Sequence, residues 1–442
     1  MGKYDKFFAA AKEAGLKEAE LTVIETHSRS ISLFHGEIDN YSDENGMNVI
    51  ARGVFSNGKC GVAVCDTWNK DRAKYLINEI VNNAKVIEND DPVFIYKGSD
   101  KYHKVNTFNK ELNNVPIDVK ISKLKELEAS LKAEDSRIAD VAEVGYNESN
   151  EIVTIVNTNG LKLTQKNNYM FCYGEVVAEE NGVKKSGFDF YFGNDFKKFD
   201  INELSKKIAE DATSKLGGIP CPAKKCKVVL SPDAVSPLLR VYVGHADSEQ
   251  VQKKSSYFIG KLHQKVASKK LTIEDRPLAK TVFARWFDDE GVATYNKAIV
   301  KKGVLETYLY NLVTACKDGV QTTGNARGAG SKKVASPFQL YIKPGNKSQE
   351  DLFKKVGDGV FITSVTALHS GMNPQSGDFS LSAEGFEIVD GKKGKPFDLI
   401  TVSGNLFQMF NDVVEVGKDL KLNGSGSCVP SLYIKKLGVS GK

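Results

Sequence analysis

Ser236-Pro-Leu-Leu-Arg-Val-Tyr-Val-Gly-His-Ala-Asp247 is the stretch from which the fold of this chain is read. Ser236 followed by Pro237 makes a helix start, a hydroxyl N-cap and then a proline at the first helical position, where its missing N–H costs nothing. Leu238, Leu239, Tyr242 and Val243 fall at helical spacing on one apolar face. Gly244 ends or distorts that helix, so His245 is expected at its C-terminal edge. Upstream, Lys227-Val-Val-Leu230 reads as a short buried strand feeding the helix.

From Cys226 onward the chain is rich in strands and glycine turns. Gly291 to Val300 and Val304 to Tyr310 read as a hairpin joined through Lys301-Lys302-Gly303, and Leu352, Phe353 and Val356 mark a short helix capped by Ser348. Toward the N-terminus, Pro116 opens a helix with Ile117, Ile121, Leu124, Leu127 and Leu131 on one face. Ile152–Val156 and Leu161–Thr164 flank a turn at Asn157–Gly160. Tyr169–Glu179 and Lys184–Phe192 flank another at Glu180-Asn181-Gly182. Asp200 with Glu203 caps a helix that ends at Gly217-Gly218. Further upstream, Phe7, Phe8 and Ala11 form a first helix. Short strands are expected at Leu21–Ile24, Ser30–Phe34, Met47–Phe55 and Gly61–Cys65, with turns at His35-Gly36, Glu44-Asn45-Gly46 and Ser56-Asn57-Gly58. A helix opened by Asp71 carries Ala73, Leu76, Ile77, Ile80, Val81, Ala84 and Ile87, and the polar run Glu88 to Asn114 is a candidate linker. The expected class is α+β: mixed helix and antiparallel-sheet domains at residues 1–92 and 115–218, then a strand-rich C-terminal domain at 226–441.

Length and composition fit that division. A chain of 442 residues exceeds one ordinary domain. Its 61 basic and 56 acidic residues, net +5, are spread along the chain and leave no concentrated basic patch for nucleic acid. No apolar run approaches the ~20 residues that span a bilayer, and the N-terminus has no signal-peptide core. Seven scattered cysteines, an odd number, fit free thiols in a reducing cytosol.

At the helix after Leu230 the sequence resembles the TldD/PmbA family, whose metallopeptidase member carries His-Glu-x-x-x-His there. Laid over it without a gap, Arg240 stands at the first histidine, Val241 at the glutamate and His245 at the second histidine. The resemblance continues through Phe287-Asp-Asp-Glu-Gly291, Lys302-Gly-Val-Leu305, Thr323-Gly-Asn-Ala-Arg327, Ser376-Gly-Asp-Phe-Ser380, Ser403-Gly-Asn-Leu406 and Pro430-Ser-Leu-Tyr-Ile434. It implies a peptidase fold, and the missing motif implies the PmbA (TldE) branch. That branch pairs with a TldD zinc subunit in a heterodimeric cytoplasmic peptidase acting on unstructured peptides. Zinc hydrolysis needs about three protein ligands, an open position for water and a carboxylate base. Valine accepts no proton, and arginine has no lone pair to offer. A guanidinium ~4 Å from a dication would be repelled by roughly 8 kcal/mol at an effective dielectric of ~20. The resemblance therefore implies no zinc in this chain, zinc in a TldD-type partner, and a heterodimer or homodimer around unfolded peptide.

Several residues carry alternatives. His245 can be a relic ligand or a helix C-terminal histidine. Counted forward from Asp419, Cys428 falls near the place from which the zinc subunit takes a third ligand; counted back from Pro430 it does not. Cys221-x4-Cys226 lacks the spacing and second pair of a metal site, and Gly324–Gly330 lacks the Gly-Lys-Ser/Thr of a phosphate loop. Asp288, Asp289 and Glu290 form either a solvated hairpin turn or a peptide or subunit contact. Asp289, Glu290, Asn325, Arg327, Asp378 and Ser380 match family positions and are the candidates for a groove, in which an extended peptide could pair with strand edges. The leading reading is a catalytically silent PmbA-type subunit. The alternatives are an independent metal- or thiol-dependent hydrolase and a non-catalytic peptide-binding or regulatory protein, the latter compatible with the family's gyrase-modulator label.

Overall fold

The strands near the N-terminus run through the places where the sequence offers turns. In the computed structural model, which describes residues 2–69, 71–86, 91–328, 330 and 332–441, β1 (Glu18–Phe34) and β2 (Glu37–Val54) are single long strands. The turn expected at Glu44-Asn45-Gly46 is absent: β2 continues there, Asn45 opposite His27 and Gly46 opposite Thr26. Glycine serves cross-strand approach at this point, because a Cβ on residue 46 would sit 2.6 Å from the Thr26 hydroxyl. The turn at His35-Gly36 does form, both residues having positive φ (50° and 82°), as a type I′ hairpin requires.

β3 (Cys60–Cys65), β4 (Ile138–Asn157), β5 (Lys162–Glu180) and β6 (Val183–Gly193) complete one antiparallel sheet in the order β3-β2-β1-β4-β5-β6. The segments expected as separate N-terminal and central domains are thus joined in a single sheet, β1 pairing β4 from Glu20↔Asn157 to Leu33↔Val144. Four helices cover one face of it. α1 (Asp5–Glu13) and α2 (Arg72–Val86) bury Phe7, Leu76 and Ile80 against Leu21, Val23, Val49 and Ala51. After the single turn α3 (Lys110–Asn113), α4 (Ile117–Glu134) and α5 (Ile201–Thr213) bury Leu124, Leu131 and Ile208 against Val144, Cys172 and Val176. Ile87 and the first three residues of the candidate linker lie outside the described residues. Between residues 91 and 109 the chain has no helix or strand. Tyr102 anchors it to the C-terminal unit by donating to the Gly291 carbonyl at 2.7 Å.

The C-terminal unit begins at β7 (Lys224–Leu230), which joins Gly359–Thr366, Asp378–Val389, Lys392–Pro396, Ile400–Asn405, Val413–Val416 and Leu432–Gly441 in a seven-stranded sheet. A second sheet is assembled from six short strands between Ile273 and Val429. The helix α6 (Pro232–Gly244) lies in the core of this unit, with Leu238, Leu239, Tyr242 and Val243 buried. It starts earlier than the Ser236-Pro237 signal suggests. Ser231 is the N-cap, its hydroxyl accepting from the Ala234 amide, and Pro232 takes the first position. Pro237 lies inside the helix, where it leaves the Asp233 carbonyl without its i→i−4 donor. Two Ser-Pro signals five residues apart compete, Ser231-Pro232 and Ser236-Pro237, and the one adjoining the buried strand β7 wins. The helix ends at Gly244, with α7 (Ser248–Gln252) following.

The free face of the six-stranded sheet receives the C-terminal unit: Val153, Ile155, Leu161 and Leu163 pack on Trp286 and Phe287. Beyond that contact the same face carries Phe171 and Tyr173 of β5 beside Phe188, Phe190 and Phe192 of β6. Among the described residues, no helix is long and apolar enough to cross a membrane.

Candidate functional site

His245 caps the C-terminus of α6 and is 4% exposed. Its Nδ1 accepts from the Tyr257 amide at 3.1 Å, so Nε2 carries the proton and donates to the Pro374 carbonyl at 2.9 Å. A backbone N–H can only donate and a carbonyl only accept, which fixes this tautomer. Burial among Phe258 and Phe407 pushes the imidazole below its usual range, and the Pro374 hydrogen bond only partly opposes that. A neutral ring with both nitrogens engaged has no lone pair left for a metal.

The neighbouring positions offer none either. Arg240 is exposed and donates to the Ser425 carbonyl at 2.9 Å, while Val241 packs against the core of the C-terminal unit. Cys428 lies in strand Ser427–Val429 opposite Tyr341 and Leu422, its thiol pushed up by burial, with Arg276 pulling the other way. Among the described residues, no three His, Cys, Asp or Glu side chains converge as a metal site would require. As placed, Arg240, Val241, His245 and Cys428 do not fit a peptidase zinc. Cys221 and Cys226 are free thiols, both pushed up by burial. In the Gly324–Gly330 loop, Ala329 lies outside the described residues.

The acidic run at 288–290 is not a solvated turn. Asp288 is fully buried and accepts from the Glu290, Val292 and Ala326 amides at 2.9, 2.9 and 3.0 Å. Glu290 is also buried and accepts from the Leu312 amide at 2.8 Å. Burial pushes both carboxyls up. Asn325 is buried as well, donating to Asp275 at 2.7 Å and to the Ser336 carbonyl at 3.1 Å. These residues shape a loop system from within. Asp289 and Arg327 stand at its surface and line two adjoining cavities of about 360 and 270 Å³ at the seam between the six-stranded sheet and the C-terminal unit. Glu290 borders a third, of about 490 Å³, with Arg52 and Lys333.

Asp378 and Ser380 sit elsewhere, at the start of strand Asp378–Val389. Asp378 accepts from Ser376 and Asn405 at 2.9 Å each, and those bonds hold its carboxyl below the usual range. They also hold the loop whose Pro374 carbonyl accepts the hydrogen bond from His245 Nε2. Ser380 is exposed and pairs with Ser403. Sequence reading missed the other wall of the seam: Glu151 and Tyr169 from the sheet, and Phe283, Arg285 and Phe338 from the C-terminal unit. They are separated by up to 187 positions in the chain, and only one local signal was available, a charged residue (Arg285) abutting Trp286-Phe287.

This fold and this seam define a class that the comparisons name. The PmbA/TldA metallopeptidase family matches in three segments, its domain 1 at residues 19–84, its central domain at 110–216 and its C-terminal domain at 223–441. The chain belongs to that family. It is 27% identical to a metalloprotease of Methanocaldococcus jannaschii, over 92% of this chain and 90% of the relative. A Thermotoga maritima protein described as a modulator of a DNA gyrase superposes with a TM-score of 0.91 at 30% identity, covering 99% of each chain. TldE from Thermococcus kodakarensis also superposes with a TM-score of 0.91, at 21% identity and over 100% of each chain, a likeness of fold.

Proposed function

We propose that this chain is a PmbA/TldE-type subunit of a TldD/TldE-like cytoplasmic metallopeptidase, without a zinc of its own, that shapes the chamber in which unstructured peptides are held. The observation that carries the reading is His245: both ring nitrogens are spent on the Tyr257 amide and the Pro374 carbonyl. Arg240 and Val241, one turn upstream, provide neither a ligand nor a base. The chemistry would then come from a TldD-type partner, and this chain would contribute walls. The seam cavities lie over the face of the six-stranded sheet with mixed charge, and with Tyr169, Phe283 and Phe338 lining the larger of the two, which suits a peptide laid across that face.

The test is elemental analysis of the chain purified alone without chelator, followed by a peptidase assay with and without a TldD-type subunit. Zinc well below one equivalent, no turnover alone and turnover on adding the partner is the expected result. A full equivalent of zinc, with chelator-sensitive turnover by the chain alone, would replace this reading with that of an independent hydrolase.

A further inference from the structure

The 360 Å³ cavity at the seam contains a guanidinium with no carboxylate in direct contact, that of Arg327. Arg285 is spent: its Nη2 meets Asp289 at 2.5 Å and its Nη1 lies 3.4 Å from Glu151. Arg285 is thus shared between the two carboxylates that line the cavity, and Asp289 also accepts from the Gly328 amide at 2.9 Å. Arg327 faces the same space with one hydrogen bond, from Nη1 to the Pro337 carbonyl at 3.0 Å. Among the described residues no carboxylate stands within ion-pair distance of it; Asp289 and Asp275 act only at longer range, while Arg285 and Arg240 repel it. Burial and those like charges hold the guanidinium below its usual range, yet arginine does not lose its proton in proteins. An anion is what relieves such a group, and a guanidinium fork matches a carboxylate with two parallel hydrogen bonds.

The rest of the lining says what the anion is attached to. Phe338 lies 5.2 Å from the Arg327 guanidinium carbon, and Phe283 and Tyr169 also border the cavity. Phe283 stacks on Phe192 at 5.3 Å, which continues into Phe171, Phe190, Tyr173 and Phe188 across the free face of the sheet. A guanidinium fork without an ion-pair partner, opening onto an aromatic row, fits an oxyanion at the end of an apolar chain.

We propose that Arg327 binds the terminal carboxylate of a peptide in this cavity, with the peptide's last apolar side chain against Phe283 and Phe338. This rests on the peptide-chamber reading above and adds which end of the peptide is held, and by what. A free phosphate ion shares the oxyanion chemistry, so the test separates the two sources. A dye-labelled hexapeptide ending in phenylalanine is titrated as free acid and as C-terminal amide against the full chain, its Arg327→Gln and its Arg327→Lys variants. Thermal melts are run with and without inorganic phosphate. The free acid is expected to bind at least tenfold more tightly than the amide. Arg327→Gln should bring the acid to the level of the amide, and Arg327→Lys should restore only part of the preference, since an ammonium has no fork. Equal binding of acid and amide, or a preference that survives in a folded Arg327→Gln variant, overturns the inference and leaves the chamber reading standing. If neither peptide binds, both fail. Phosphate stabilising wild type but not Arg327→Gln in that case would identify the occupant as the free ion.

Discussion

At the scale of the residue, His245 is held by the protein's own backbone groups on both ring nitrogens. Its ring ties three separated segments together, the end of α6, the Tyr257 amide and the Pro374 loop. Because burial lowers its folded-state value below the ordinary imidazole 6.5, the unfolded chain binds the extra proton first as pH falls. The stability it contributes is therefore complete above about pH 6.5 and is lost as pH drops through the folded value. Asp247, two residues on, is pushed up to about 6 by burial and contributes with the opposite sign over roughly pH 4–6. Comparison with His245→Gln isolates the imidazole. Thermal melts at pH 7.5 and 5 should show wild type losing more stability than the variant on acidification; parallel losses would mean that the ring is not held neutral. The sequence marked this histidine, but its tautomer is set by groups 12 and 129 positions away, which no local pattern encodes.

At the scale of the element, the long sheet is pinned by features of opposite legibility. Glu148 of β4, 3% exposed, accepts from Lys120 of α4 at 2.6 Å, Arg29 of β1 at 2.7 Å and Tyr146 at 2.7 Å. Lys120 occupies a position on α4 where the sequence predicts no burial, since a lysine is buried only when a partner meets it. Lys120→Met should cost about 2 kcal/mol by removing a charged hydrogen bond and leaving Arg29 as the sole cation on a buried carboxylate. The Lys120→Met/Glu148→Gln double variant should lie at least ~1 kcal/mol above the sum of the singles in urea denaturation, because contacting charges couple. Additive losses would show that Arg29 alone carries Glu148. Gly61 of β3 is set by a close approach of backbone. A Cβ there would fall 1.9 Å from the Ile80 carbonyl of α2, so Gly61→Ala should force α2 off the sheet at a cost of about 3 kcal/mol, read as a lowered denaturation midpoint. An unchanged midpoint would mean that α2 can ride outward freely. The periodicity of α2, α4 and α5 and the turns at 35–36, 157–160 and 180–182 were legible because each is local. The persistence of β2 through Glu-Asn-Gly was not, because the pairing partner that stabilises it is brought by β1.

At the scale of the whole molecule, the contact of Val153, Ile155, Leu161 and Leu163 with Trp286 and Phe287 couples the sheet to the C-terminal unit and fixes the width of the seam. Trp286→Ala should cost roughly 3–5 kcal/mol, and in calorimetry it should broaden or split the unfolding transition as the two bodies uncouple. A single sharp transition at a merely lower temperature would mean that the linker anchor at Tyr102 suffices to hold them. The sequence by itself determined the α+β class, the strand-rich C-terminal unit and the family, because each is written in consecutive residues or in local period. Only the tertiary structure decided that two expected domains share one sheet, that α6 starts at Ser231, that Asp288, Glu290 and Asn325 work inside the protein, and that Asp289 and Arg327 meet Glu151 and Arg285 across a seam. The reason is physical: sheet pairing, competition between caps, and burial of charge are settled by the free energy of contacts between segments far apart in the chain, which local sequence does not contain.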